Sequence, residues 1–246
     1  MSKFKTFAAL HVPGDPVVLY NIWDVGSALA VVAAGAKALA TGSHPVGDAQ
    51  GFGDAHQVPI DYALDNARRI VAAVDLPVSV DFEGAYSANP ETGAANVARL
   101  KATGAVGCNF EDQVVGGEGL HPLELQARRI AAIRHAVGDD FFLNARTDLL
   151  IKAKAIDDAL ISEVIERGKA FADAGANGFF VPRISDPRHI ERVVREVPLP
   201  LNAIAFPGAP PKADWAAAGI ARISHGPFPH KALMVKLTEA AKAAIA

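Results

Sequence analysis

The sequence predicts a (β/α)8 TIM barrel from three observations. Its 246 residues suit one such barrel, typically of about 250 residues. Eight short apolar runs alternate with stretches of helical periodicity. Several of those stretches stop at a glycine just before the next apolar run: Ala34-Gly35, Thr103-Gly104, Ala174-Gly175 and Ala218-Gly219. Glycine is a common helix stop because it enters the left-handed region at little cost. Its recurrence marks one unit repeated along the chain. No Pro- or Ser-rich linker divides the sequence, so residues 1–246 read as a single domain. The competing arrangement is an open doubly wound sheet. The first strand lacks a following Gly-x-Gly-x-x-Gly turn, which weighs against the dinucleotide-binding form of that sheet.

The expected strands are Val17–Asn21, Ala36–Thr41, Val78–Phe82, Val106–Phe110, Phe141–Ala145, Gly178–Val181, Leu201–Ile204 and Ala221–Ser224. They are continuous apolar runs rather than period-two alternations, as a parallel sheet covered on both faces requires. Between them, Ile60–Val74 puts Ile60, Leu64, Ala67, Ile70 and Val74 on one helical stripe. Pro90–Thr103, Pro122–Val137, Asp157–Ala174 and Pro187–Val197 behave alike. Pro90, Pro122 and Pro187 stand at helix starts, where a missing N–H costs nothing. Asn89 and Asp186 precede two of them as N-caps. The tail 227–246 carries an amphipathic stretch that either closes its own barrel or packs on a neighbouring subunit.

Composition narrows the function. A formal net charge of −3 gives no basic footprint for nucleic acid. No apolar run approaches the ~18 residues of a membrane span. The N-terminus lacks the apolar stretch of a secretory signal. The single cysteine, Cys108, cannot form an internal disulfide. These features predict a cytoplasmic protein.

Three consecutive strands end in charge. Asp81 and Glu83 end the third, Glu111 and Asp112 the fourth, and Arg146 and Asp148 the fifth. In a parallel barrel these ends share one mouth, where active sites form. Thr41-Gly42-Ser43 ends the second strand, and the loop after it holds Asp48 and Asp54. Clustered carboxylates repel one another unless a cation neutralises them, and an oxygen-rich set suits Mg2+. A guanidinium beside them suits an anionic substrate. His225 ends the eighth strand at the same rim, and no histidines show zinc-ligand spacing. Cys108 lies inside an apolar run and reads as a packing residue. The glycine-rich stretch 113–121 reads as a lid.

Taken together, Asn21-Ile-Trp-Asp-Val-Gly-Ser27, Ala38-Leu-Ala-Thr-Gly-Ser43, Val80-Asp-Phe-Glu-Gly-Ala-Tyr86, Asn109-Phe-Glu-Asp112, Asn144-Ala-Arg-Thr-Asp148 and Arg222-Ile-Ser-His-Gly-Pro227 resemble the isocitrate lyase/phosphoenolpyruvate mutase superfamily. The resemblance implies a barrel whose last helix is swapped between subunits of a homodimer or homotetramer. It implies Mg2+ as cofactor and a small-molecule carboxylate substrate that yields an enolate. By position, Asp81 resembles the direct metal ligand, and Glu83, Glu111 and Asp54 the water-mediated ones. Arg146 resembles the residue facing the substrate's oxyanion, with Asp54 and Glu111 beside it in catalysis. Backbone N–H groups of Ser43 and His44 resemble a carboxylate-binding turn, and Trp23 belongs to the barrel mouth. The activity implied is a Mg2+-dependent lyase cleaving a C–C bond of a 2-oxo or 2-hydroxy dicarboxylic acid. A phosphonomutase or phosphonopyruvate hydrolase, and a non-catalytic 2-oxo acid binder, are the alternatives.

Two departures stand out. The lyases of that superfamily carry a cysteine motif after the fourth strand, and the mutases a longer loop with lysine and asparagine. Here the stretch reads Gln113-Val-Val-Gly-Gly-Glu-Gly-Leu-His121 and has neither. Glu118 and His121 are its only candidate proton donors. The turn after the second strand reads Gly-Ser-His-Pro, where the mutases have Gly-Leu after the serine.

Overall fold

The computed structural model describes residues 1–53 and 57–246. In chain order its elements are α1 (Lys3–Ala9), β1 (Val17–Leu19), α2 (Val25–Ala33), β2 (Leu39–Ala40), α3 (Ser43–Gln50), α4 (Ile60–Ala73), β3 (Val78–Asp81), α5 (Pro90–Lys101), β4 (Gly107–Glu111), α6 (Leu123–Val137), β5 (Phe142–Arg146), α7 (Asp158–Asp173), β6 (Gly178–Phe180), α8 (Pro187–Glu196), β7 (Leu201–Ile204), α9 (Lys212–Ala217), β8 (Arg222–Ser224) and α10 (Phe228–Ile245).

The strands are parallel and run β1-β8-β7-β6-β5-β4-β3-β2 around the sheet. The ring closes between β1 and β2 through one bridge, Ile22 with Thr41. There Ile22 N donates to Ala40 O at 2.9 Å, and Gly42 N donates to Ile22 O at 3.1 Å. This is the expected (β/α)8 barrel. The strands are shorter than the apolar runs, because residues such as Asn21 and Thr41 leave the ladder to build the mouth.

Alternation along each strand sorts side chains. Val80, Cys108, Phe110, Leu143, Phe179 and Ala203 face outward and pack with helix residues such as Leu64, Val97, Ile130 and Val164. The buried polar side chains Asn109, Asn144, Asn202, Arg222 and Ser224 join one another through hydrogen bonds inside the ring.

Two helices fall where the sequence shows no periodic stripe. One is α1, whose Phe7 forms a cluster with Val17, Leu19, Ala38, Ala40, Val106 and Phe142. Several of these residues lie at strand starts, so α1 plugs the N-terminal end of the barrel. Phe7 meets Phe142 edge-on at 5.3 Å, and His11 stacks on Phe142 at 4.2 Å. The other is α3, which begins at Ser43 on the opposite mouth. Helix α10 buries only Pro229 and His230 and exposes Leu233, Val235 and Leu237. Among the described residues, no helix is long and apolar enough to cross a membrane.

Candidate active site

The charged strand ends meet at the C-terminal mouth. Strand β3 turns Val78, Val80 and Phe82 into the outer core, so Asp81 faces inward. Its Oδ2 accepts hydrogen bonds from Ser43 N at 3.1 Å and Ser43 Oγ at 3.0 Å. Its own N–H donates to Thr41 Oγ1 at 3.0 Å. Asn109 Nδ2 lies 3.5 Å from Oδ1. Asp81 is thus fixed from three sides before any ligand arrives. Ser43 N–H serves Asp81, and Pro45 has no N–H. Of the first-turn donors of α3, that leaves His44 N–H for an incoming carboxylate.

Glu83 is buried at a positive φ of 48°, and Ala85 and Tyr86 follow at 56° and 58°. Left-handed conformations cost non-glycine residues free energy and persist only where the surroundings enforce them. One enforcing contact is Glu111 N, which donates to Glu83 O at 3.0 Å.

Glu111 and Arg146 face each other at the ends of β4 and β5, with Arg146 Nη1 2.9 Å from Glu111 Oε2. Burial pushes the Glu111 carboxyl well above the ordinary carboxylate range. Arg146 opposes that shift, while Asp148, Asp81 and Glu83 add to it. Arg146 Nε and Nη2 also donate to Asp148 Oδ1 and Oδ2 at 2.6 and 2.9 Å. Burial works against the guanidinium charge, but Glu111, Asp148 and Asp81 outweigh it and hold its pKa above the usual value. Asp148 is tied down in turn, its N–H donating to Asp112 Oδ1 at 2.9 Å. Asp112 is fully buried, and its Oδ2 pairs with Arg167 of α7 at 3.1 Å. Two of the strand-end acids, Asp112 and Asp148, therefore position Arg146.

Asp81 and Arg146 line a cavity of about 180 Å3 together with Asn21, Ser43, His44, Phe180, Ile204 and Ser224. Its floor is a polar layer that the sequence reading did not single out. Asn144 Nδ2 donates to Asn109 Oδ1 at 2.8 Å and to Asn202 Oδ1 at 3.0 Å. Arg222 Nη2 donates to Asn109 Oδ1 at 3.1 Å. Burial lowers the Arg222 pKa to about 9, against the raising influence of Asp81 and Cys108. The available signal was an asparagine at the centre of three apolar runs: Cys-Asn109-Phe, Leu-Asn144-Ala and Leu-Asn202-Ala.

Other sequence candidates lie elsewhere. Asp54 lies outside the described residues. Trp23 lines a neighbouring groove between α2 and α10 and meets His230. The ring of His225 packs against Tyr20 at 4.9 Å, while its N–H donates to Asn21 Oδ1 at 2.7 Å. Cys108 is buried outside the ring, and burial raises its pKa. Stretch 113–121 folds on itself through a Gln113–Leu120 bridge. Its Glu118 is exposed, and its His121 lines a side pocket with Tyr86 and Arg129.

Among the described residues, no three His, Cys, Asp or Glu side chains converge closely enough to cage an ion alone. Mg2+ rarely needs such a cage. It keeps several waters and takes one or two carboxylates plus substrate oxygens. Asp81, with Glu83 and Glu111 behind it, matches that donor set.

The model of the phosphoenolpyruvate phosphomutase family matches residues 7–245. A proposed phosphonomutase from Burkholderia cenocepacia J2315 superposes with a TM-score of 0.95 at 43% identity, covering 98% of this chain and 99% of that one. A phosphoenolpyruvate phosphomutase of Streptomyces hygroscopicus is 31% identical, over 86% of this chain and 70% of its own. A 2-methylisocitrate lyase of Escherichia coli K12 is 28% identical, over 82% of this chain and 69% of its own.

Proposed function

The chain belongs to the phosphoenolpyruvate phosphomutase family, and on that premise we propose that it is a Mg2+-dependent lyase. Its substrate is a small 2-oxo or 2-hydroxy dicarboxylic acid, cleaved at a C–C bond through an enolate. The observation that carries this reading is that Asp81 and Arg146 face one cavity of about 180 Å3, with Glu111 paired to Arg146 and Glu83 lining an adjoining pocket with Asp81. That space admits a small acid rather than a nucleotide.

Each residue has a task. Mg2+, when bound, would stabilise negative charge on the substrate's oxygens. Asp81 would hold the ion directly, with Glu83 and Glu111 reaching it through water. Arg146, clamped by Asp148, presents a fixed positive charge where the enolate oxygen develops. Ser43 holds the Asp81 carboxylate, so that its orientation need not be set when the ligand binds. Phe180 lies 5.6 Å beneath the Arg146 guanidinium and keeps water from that side. The exposed apolar residues of α10 support a homo-oligomer in which this helix packs on a partner subunit. The whole chain then acts as one domain of a cytoplasmic enzyme.

The phosphonomutase reading is less favoured, because stretch 113–121 holds no lysine or asparagine. Titration calorimetry with oxalate, an enolate mimic, tests the site. Binding is expected only with Mg2+ and is expected to vanish in Asp81→Ala. Unchanged binding in that variant would remove Asp81 from the metal site. Product analysis with malate-type acids, beside phosphorus NMR with phosphonopyruvate, then decides the bond broken.

A further inference from the structure

Two imidazoles converge on one carboxylate at the rim of the cavity. His44 lies in the first turn of α3, and Asp48 follows one turn later. His44 Nδ1 stands 3.1 Å from Asp48 Oδ2. His230, carried by α10, brings its Nδ1 to 3.8 Å from the same oxygen. His230 is 5% exposed, and its ring meets Trp23 edge-on at 4.8 Å. Neither Nδ1 makes an aligned hydrogen bond, so Asp48 faces both rings chiefly as a charge. An i,i+4 pair can be plain helix support. Two features set this one apart. His44 forms part of the cavity wall beside Ser43, Asp81 and Arg146, and α10 adds a second imidazole from behind. No other imidazole among the described residues lines that cavity.

A C–C lyase needs a proton donor at carbon. Stretch 113–121 does not supply one to this cavity, since Glu118 is exposed and His121 opens into a side pocket. We infer that His44 is the catalytic acid–base residue at the substrate carbon, with Asp48 as its positioning partner. This rests on the enolate reading of the site. With Nδ1 facing Asp48, Nε2 is the ring nitrogen left for the substrate.

The step balances. When the C–C bond of a 2-hydroxy acid breaks, its electron pair stays on the carbon next to a carboxylate, as an enolate, while the hydroxyl of the other fragment closes to a carbonyl and gives its proton to water. The His44 imidazolium gives its Nε2 proton to that carbon. The pair becomes the new C–H bond, the ring becomes neutral, and solvent returns the proton. In the reverse sense, neutral His44 removes a methyl proton from pyruvate and leaves the enolate.

Exchange of pyruvate methyl protons for deuterium, followed by proton NMR in D2O with Mg2+, tests the assignment. Oxalate calorimetry on the same preparations reports whether the site is intact. The wild type is expected to exchange. H44Q is expected to lose exchange by about 100-fold or more while oxalate affinity changes less than about threefold. Asp48→Asn is expected to lose less, because the ring remains. Undiminished exchange in H44Q overturns the assignment, as does a wild type that binds oxalate without exchanging pyruvate. Parallel loss of exchange and oxalate binding in H44Q makes His44 a structural residue and also overturns it. A wild type that binds no oxalate instead defeats the enolate reading beneath it.

Discussion

The two ends of this barrel are made from the same eight strands and follow opposite rules. At the N-terminal end, α1 seats Phe7 among Val17, Leu19, Val106 and Phe142. The one polar side chain stacked there, His11, is kept neutral. Burial lowers its pKa to about 3, Arg222 adds to that, and the bond from Nδ1 to Phe7 O opposes it. At the C-terminal end, the carboxylates Asp81, Glu83, Glu111, Asp112 and Asp148 crowd around one mouth, and the Arg146 guanidinium contacts both Glu111 and Asp148. The lesson is a division of labour. One end excludes charge and contributes stability. The other concentrates charge at a cost that the first end offsets.

Three changes would break or sharpen that contrast. The largest effect is expected at the apolar end. Phe7→Ala empties a fully buried site and should cost about 3–5 kcal/mol of stability in denaturant unfolding. Oxalate affinity should stay close to wild type; a large loss would mean that the ends are not independent. Next, Arg146→Met should weaken Mg2+-dependent oxalate binding by about 10²–10³-fold in calorimetry. Undiminished affinity would show that the guanidinium serves only its neighbouring acids.

The effect that is smallest near neutral pH, and grows only on acidification, concerns His11. His11 has a folded pKa of about 3, below the 6.5 of a free histidine. Between those values the unfolded chain takes up a proton and the folded chain does not. The stability present above pH 6.5 is therefore lost as pH falls toward 3, by up to about 1.4 kcal/mol per pH unit. His11→Phe keeps a ring over Phe142 and should flatten that slope. Equal slopes in both proteins would show that His11 is not the titrating group.

Much of this was legible in the sequence because the strands are local and repetitive. Asp81, Glu83, Glu111 and Arg146 could be read as neighbours because each ends an apolar run, and parallel strands bring such ends together. Helix α1 could not be read. Seven residues are too few to hold a helix alone, and α1 exists because Phe7 docks on strands much later in the chain. Helix α3 contains Pro45 and Gly47 and shows no stripe, and its start is fixed by Asp81 across 38 residues. The floor of Asn109, Asn144, Asn202 and Arg222 was hidden for another reason. Inside a closed ring, polar residues from distant strands bond to one another, so they need no sequence neighbour to pair with.

The joint between β1 and β2 has a mechanical consequence. The other seven joints are ladders, whereas this one is a single bridge reinforced by Asn21. Asn21 Nδ2 donates to Thr41 O at 2.7 Å, and its Oδ1 accepts from His225 N and Gly226 N. Thermal breathing should therefore begin here, and the amides of Ile22 and Gly42 should exchange with solvent before those of β4 and β5. Asn21, Ser43 and Asp81 line the cavity on both sides of the joint. A ligand seated among them acts as a rivet across the weakest weld of the hoop, and oxalate should slow exchange there first.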